Sequence, residues 1–502
     1  MHVVLYNPPS SAGRKPIVPC SLLALGALLD GRWPWSIVDA NLIVGDPYPA
    51  LVAEVHRTGA EVVGMTVMPG PQLADAIPLA RRLKHDLPRV AIVWGGYFPS
   101  QHSDVVLADG CVDYVVRGHG EDAFVALIGQ LDAVRIATGG SAAAVAKGIA
   151  GVAWRDPVGG AAHDEGMPTI PHPERQPAFP WHRLPIERYL RKTFLGSRTI
   201  GHHSSYGCPF FCSFCAVVNM VDGAWLARSA ETTAADVRTL VREHGANAIE
   251  FYDNNFFVAE KRCRVFADSI ADLKIRWWGE GRIDTMLGWS DDTWRAMADS
   301  GLAMVFMGAE AGDDETLKRM NKGGKQTVAG ALELAARMAT FGVVPEYSFV
   351  LGSPPDPEVD VEKTLAFVRR VKAVNPATEV VFYLYTPVPL EGTLYESAKA
   401  SGFAFPTTLD GWMGADWQGF SQRRSDSIPW ISDALRSKVR AFEMTMNAAF
   451  PTSTDARNRG MRAKALRTLG RWRWDAQFYD HPYELRIASK LLRYRRPETS
   501  GF

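Results

Sequence analysis

Cysteine is scarce in this chain. Six occur in 502 residues: Cys20, Cys111, Cys208, Cys212, Cys215 and Cys263. Cys20, Cys111 and Cys263 stand singly, which is the pattern of small buried apolar residues and argues against a second metal cluster. An excess of either charge is also missing, since Lys+Arg and Asp+Glu both number 55. There is thus no global electrostatic case for a nucleic-acid partner. No apolar run is long enough to span a bilayer, and no early one has the flanks of a signal peptide, so a cytoplasmic protein is expected. The 47% hydrophobic and 22% charged composition is that of a soluble globular protein. The length suggests two or three domains.

What is present is concentrated in Gly207-Cys208-Pro209-Phe210-Phe211-Cys212-Ser213-Phe214-Cys215, three cysteines spaced C-x3-C-x2-C. Three thiolates leave a tetrahedral structural zinc site one ligand short unless a histidine completes it. They suit a cubane [4Fe–4S] cluster with one iron left open, whereas an electron-transfer cluster takes four cysteines. An open iron can chelate a small molecule through an amine and a carboxylate.

Upstream, residues 1–160 alternate short β-rich runs with amphipathic helical stretches, each run closed by a Gly- or Pro-bearing turn. That alternation predicts a doubly wound parallel sheet. Ligands bind such sheets outside the carboxyl ends of the strands. The candidate rim is therefore Asn7-Pro8-Pro9, Thr66-Val67-Met68, Gly95-Gly96-Tyr97 and Gly118-His119-Gly120-Glu121. The Gly/Ala stretch Ala137–Ala150 reads as a loop or helix insertion, and Val152-Ala153-Trp154-Arg155 as a small hairpin strand before a turn at Pro157–Ala162. Residues 161–200 carry Pro168, Pro171, Pro173, Pro177, Pro180 and Pro185, a density that blocks helix and central strand alike and predicts an extended linker.

Residues 201–400 alternate again, as six β/α units counting the strand before Cys208. Their strands end on Asp253 and Asn255, on Glu280 and Arg282, on Glu310 and on Gly352, where function concentrates in parallel barrels. Residues 401–502 form the last region, with a tryptophan-rich turn (Trp412, Trp417) and a helix over Asp433–Ala449. Between Ala456 and Arg496 there are twelve Lys/Arg against three Asp/Glu, with Trp472, Trp474, Phe478 and Tyr479 interleaved. Such a stretch can be a membrane-surface helix, a site for an acidic lipid-like substrate, a nucleic-acid contact, or a solvated helical face with buried aromatics.

The cysteine spacing, with aromatic Phe214 before the third cysteine, resembles the signature of the radical S-adenosylmethionine (SAM) enzymes. Phe251–Phe256, Gly308-Ala309-Glu310-Ala311-Gly312 and Met320-Asn321-Lys322-Gly323 resemble later segments of that core, an open partial (β/α)6 barrel. Asn7-Pro8-Pro9, the Pro-x-Ser-Leu-Leu-Ala-Leu helix that begins at Pro19, Trp94-Gly95-Gly96-Tyr97-Phe98-Pro99 and Val112–Glu121 resemble the cobalamin-binding domain found before it. The resemblance implies SAM held near Phe214, Asp253, Asn255, Arg282, Glu310 and Gly352, with Glu310 toward its hydroxyls or ammonium and Arg282 toward its carboxylate. It implies cobalamin at Asn7, Pro8, Thr66, Met68, Gly95, Gly96, Gly118 and Glu121. The D-x-H-x-x-G pattern is absent and none of His85, His102 or His119 stands in that context, so cobalt without a protein histidine is expected.

The implied chemistry is an electron from the cluster, a 5'-deoxyadenosyl radical from SAM, and hydrogen abstraction from an unactivated carbon. Methylation of a specialised metabolite or lipid-like small molecule is the leading expectation, with an electron donor such as flavodoxin or ferredoxin. Oxidative cyclisation, as in the anaerobic magnesium-protoporphyrin ester cyclase, or a non-catalytic cobalamin or cluster sensor are the alternatives. The fold does not name the substrate.

Overall fold

The computed structural model describes residues 1–10, 16–138, 146–156, 160, 162–322, 325–420, 428–450 and 461–491. Part of Ala137–Ala150, of the Pro157–Ala162 turn and of the basic stretch, as well as Gly323, lies outside them. The chain forms two compact units. One is Met1–Tyr189 with Val217–Ala227 and Ala404–Ser427; the other is Leu190–Ala216 with Arg228–Phe403 and Ile428–Phe502.

In the first unit the strands are β1 (Val3–Asn7), β2 (Trp35–Asp39), β3 (Val62–Thr66), β4 (Ala91–Gly95), β5 (Tyr114–Val116), β6 (Val152–Arg155) and β7 (Ala162–Asp164). They lie in the order β2-β1-β3-β4-β5-β6-β7, and β1 to β5 run parallel. The near-continuous apolar runs of β1 and β3 are those of strands covered on both faces, and helices Cys20–Leu29 and Pro71–Asp86 belong to the two opposite core clusters. The hairpin expected at Val152–Arg155 is there, but β6 also pairs antiparallel with β5 and so extends the main sheet.

The expected limit at residue 160 and linker over 161–200 are corrected here. Short 3-10 turns let the proline-rich segment bury Trp181, Leu184, Ile186 and Tyr189, and the Tyr189 hydroxyl donates to Asp39 Oδ2 at 2.7 Å. A dense run of prolines prevents regular structure, not burial. Likewise 401–502 is not one region. Trp412, on the helix Leu409–Met413, packs edge-on against Phe98 in the first unit, while the helix Asp433–Ala449 belongs to the second.

In the second unit β8 (Thr199–His202), β9 (Ala248–Phe251), β10 (Arg276–Gly281), β11 (Leu302–Glu310), β12 (Val344–Leu351) and β13 (Glu379–Leu384) form a six-stranded sheet in sequential order, all parallel. Strand residues alternate faces. Phe251 and Trp277 meet Phe266 of the helix Glu260–Ile270, and the Tyr347 hydroxyl donates to Ala331 O of the helix Val328–Thr340, which fixes the helix-covered face. The opposite face carries Glu250, Tyr252, Trp278, Glu280, Met304, Phe306 and Glu346. There the Tyr252 and Trp278 rings lie 6.0 Å apart and Trp278 and Phe306 6.3 Å apart. Parallel pairing brings every strand's carboxyl end to one edge.

Candidate active site

The cysteine loop leaves β8 through Ser204-Ser205, and Asp253, past the end of β9, holds that exit. Its buried carboxylate accepts the Ser204 N–H at 3.0 and 3.1 Å, the Ser204 hydroxyl at 2.7 Å and the Ser205 hydroxyl at 2.5 Å. Asn255 Nδ2 approaches Cys208 Sγ at 3.7 Å. Ser213 N–H donates to Met320 O at 3.0 Å, and Asn321 Nδ2 to Phe211 O at 2.7 Å. The Met320-Asn321-Lys322 segment thereby clamps the loop from the β11 side.

Arg282 follows β10 and is 4% exposed. It grips Asp284 with two nitrogens, at 3.0 and 2.9 Å, and donates to Lys322 O at 2.6 Å. Its Nη1 lies 3.2 Å from Cys212 Sγ, and its plane lies 3.8 Å from the centre of the Phe210 ring. A guanidinium offers five N–H donors in a fixed fork. Those contacts engage Arg282, the expected partner for a SAM carboxylate, on the cysteine loop. Glu310, expected toward the SAM hydroxyls or ammonium, has a partner within the protein. It sits at φ +65° beyond a register shift in β11, and its carboxylate takes Lys322 Nζ at 2.5 Å. A Cβ at Gly308 would fall 1.7 Å from Glu310 Oε1, so this ion pair requires a residue without one. Burial alone would lower the Lys322 pKa, but the charges of Glu310 and Cys212 outweigh it and raise it. Phe214 lies 5.5 Å from Lys322 Nζ, and Gly352 O accepts Trp430 Nε1 at 2.8 Å.

Lys322 and Glu280 were the residues that sequence reasoning gave no role. Lys322 was visible only as part of a motif, and Glu280 only as one strand end among several. Glu280 is partly buried on the open face, beside Phe306 in register, and its carboxyl takes no side-chain hydrogen bond or ion pair among the described residues. Burial and the charge of Asp253 push its pKa up to about 8.

In the first unit the expected residues do meet along the carboxyl edge of β1, β3, β4 and β5. Asn7 is less open than its place suggested: Nδ2 donates to Asp39 at 3.0 Å and Oδ1 accepts Gln72 at 3.4 Å, while Pro8 O accepts Asn41 at 3.2 Å. Met68 is 47% exposed. Gly96 turns at φ +96°, where a Cβ would lie 3.1 Å from Val67 N and O. Gly118 N–H donates to Ser100 Oγ at 2.9 Å, and Glu121 is buried with Oε2 unpartnered. His102 is enclosed by Phe98, Phe405 and Trp412, and burial takes its pKa down to about 4. His85 is exposed beside Asp86, and His119 stands on the rim.

No three His, Cys, Asp or Glu among the described residues are placed to hold a single metal ion. The triad fits a cubane, which gives each thiolate its own iron, and two of its sulfurs already face nitrogen donors, Asn255 and Arg282. Hydrogen bonds to sulfur tune such clusters. The glycine cradle and unpartnered Glu121 oxygen make the first unit's rim suited to a polar ligand that approaches the backbone closely.

Fold and site together define a radical SAM protein with a cobalamin-binding domain ahead of the core. Residues 16–128 match the B12 binding domain family and residues 203–368 the Radical SAM superfamily. The uncharacterized methyltransferase PH0819 of Pyrococcus horikoshii is 25% identical over 410 residues, 80% of this chain and 84% of its own length. The anaerobic magnesium-protoporphyrin IX monomethyl ester cyclase of Synechocystis sp. is 24% identical over 343 residues, 65% of this chain and 64% of that protein. The solved radical SAM methyltransferase TsrM from Kitasatospora setae, with cobalamin and a [4Fe-4S] cluster bound, shares the fold. Its TM-score is 0.63 at 16% identity, over 98% of this chain and 100% of that one. The chain carries the two domains of a cobalamin-dependent radical SAM enzyme, with SAM, a [4Fe–4S] cluster and cobalamin as cofactors.

Proposed function

We propose that this enzyme methylates an unactivated carbon of a small-molecule substrate. The observation that carries the reading is the three-cysteine loop, fastened to the carboxyl edge of the open sheet, in a chain whose other unit is a B12-binding domain. The methyltransferase PH0819, matched over four-fifths of this chain, favours methyl transfer. When bound, the cofactors supply the electron, the primary carbon radical and the methyl group.

The chain's own work is binding, orientation and exclusion of water. Cys208, Cys212 and Cys215 hold the cluster; Asn255 and Arg282 donate toward its sulfurs. Phe214, Asp253, Glu310 and Gly352 line the SAM position, with Asp253 acting through the serines it fixes and Glu310 through its pair with Lys322. Asn7, Pro8, Thr66, Met68, Gly95, Gly96, Gly118 and Glu121 would frame the cobalamin rim, which would hold the cofactor without a protein histidine. A small reducing protein such as flavodoxin or ferredoxin delivers the electrons. The basic C-terminal helices, with Trp472 57% and Tyr483 60% exposed, offer a peripheral membrane contact.

The match to the cyclase supports a second reading, radical cyclisation without methyl transfer. Anaerobically reconstituted enzyme, given SAM carrying a labelled methyl group and candidate substrates, separates the two. Label in a product one CH2 heavier supports methylation, and an unlabelled product that has lost hydrogen supports cyclisation. A Cys212→Ala variant that still cleaves SAM reductively would defeat both.

A further inference from the structure

The open face of the second unit's sheet is acidic, and its carboxylates are unequally provided for. Glu250 is paired with Arg191, which also donates to the Tyr252 hydroxyl at 2.5 Å. Glu346 accepts Trp278 Nε1 at 2.9 Å. Asp253 takes the Ser204 and Ser205 donors. At the rim, Arg282 is spent on Asp284 and Lys322 on Glu310. Among the described residues Glu280 alone in this group receives no side-chain hydrogen bond or ion pair, although burial and Asp253 both disfavour its charge. A partly covered carboxyl that its neighbours leave without a partner, in an otherwise satisfied network, is a place that a ligand can complete. Around it stands an aromatic wall of Tyr252, Trp278 and Phe306, with Tyr252, Glu280, Phe306 and Glu346 all partly exposed on this face.

We propose that this face is a substrate subsite for a basic nitrogen carried on an apolar frame, with Glu280 as its counter-ion and Tyr252, Trp278 and Phe306 as its walls. A protonated amine supplies the charge that Glu280 lacks, and aromatic faces favour a cation beside them. A neutral alcohol gains one hydrogen bond without the charge, and a carboxylate meets Glu346 and Asp253 as like charges. The assignment rests on the reading of this unit as the site of substrate chemistry and names the class of molecule it takes.

The test uses anaerobic, cluster- and cobalamin-reconstituted enzyme at saturating SAM, without reductant, titrated with 2-naphthylmethylamine, 2-naphthylmethanol and 2-naphthoate. The amine is expected to bind at least about ten-fold more tightly than the alcohol, with naphthoate weakest. Glu280→Gln should erase the preference for the amine and leave the dissociation constant for SAM unchanged. Equal binding of amine and alcohol by the wild type, or tightest binding of naphthoate, overturns the proposal without recourse to any variant. So does competition between amine and SAM, because Glu280 would then serve the cofactor. Reductive SAM cleavage by the same preparation judges the parent reading separately.

Discussion

Arg282 and Cys212 stand 70 residues apart in the chain, yet Nη1 of the one lies 3.2 Å from Sγ of the other. The arginine cannot swing away freely, because Asp284 holds two of its nitrogens and Lys322 O a further contact. A fixed cationic donor beside one cluster ligand holds the loop in the geometry the cluster needs.

Removing that donor should therefore weaken iron binding before it unfolds the protein. Arg282→Met is expected to retain less than about half of the four irons of a [4Fe–4S] cluster after reconstitution and desalting. Arg282→Lys keeps the charge without the fork and should fall between it and the wild type. Iron analysis with the visible absorption spectrum reads both. Full iron in Arg282→Met would show that the contact is incidental to the cluster.

The Glu310–Lys322 pair makes a stability prediction with an internal control. Both side chains are under a tenth exposed. Lys322→Met leaves an uncompensated buried carboxylate and should cost about 3–5 kcal/mol. Adding Glu310→Gln removes the stranded charge and should recover much of that loss, since breaking one side of a buried pair is worse than deleting both. Denaturant unfolding of the two single variants and the double variant closes the cycle. Strict additivity would mean that the 2.5 Å contact carries little coupling.

These contacts show where the sequence was legible and where it was not. Strand–helix alternation and Gly/Pro punctuation gave both parallel sheets, and the helix over Asp433–Ala449 has the expected bounds. The cysteine triad stands out in the sequence because ligand spacing is local. The partners of Arg282 and Glu310 were not, since they come from Cys212, Asp284 and Lys322, and no periodicity records which long side chains meet across a loop. The domain limits failed for a related reason. Proline density reports on backbone conformation, whereas Tyr189 joins the first unit through a tertiary hydrogen bond to Asp39.

The cobalamin rim yields a spectroscopic prediction. His102 is sealed in an aromatic cluster and His85 is on the surface, which leaves His119 as the rim histidine to be tested. With no protein nitrogen on cobalt, the electron paramagnetic resonance spectrum of bound cob(II)alamin should be the same in natural-abundance and uniformly 15N-labelled protein. A change in its superhyperfine splitting would put a protein nitrogen, with His119 the first to replace, on the metal.

Glu280 supplies a pH prediction whose sign is fixed by its environment. Its pKa rises from 4.5 to about 8 in the folded chain, through burial and then the charge of Asp253. A carboxyl raised in this way prefers its neutral form when folded, so its contribution is intact below the unfolded pKa and is lost as pH climbs toward 8. Glu280→Gln cannot ionise and escapes that loss. The variant should match the wild type below about pH 4 and gain on it as pH rises through the window from 4.5 to about 8, by roughly 1–3 kcal/mol at pH 8.5 once solvent screening of this partly exposed group is allowed for. Comparing the two proteins at each pH cancels every other titrating group. Thermal melts without added amine read the difference, and a gap of constant size across the range would mean that Glu280 is already ionised in the empty site, its charge met by solvent.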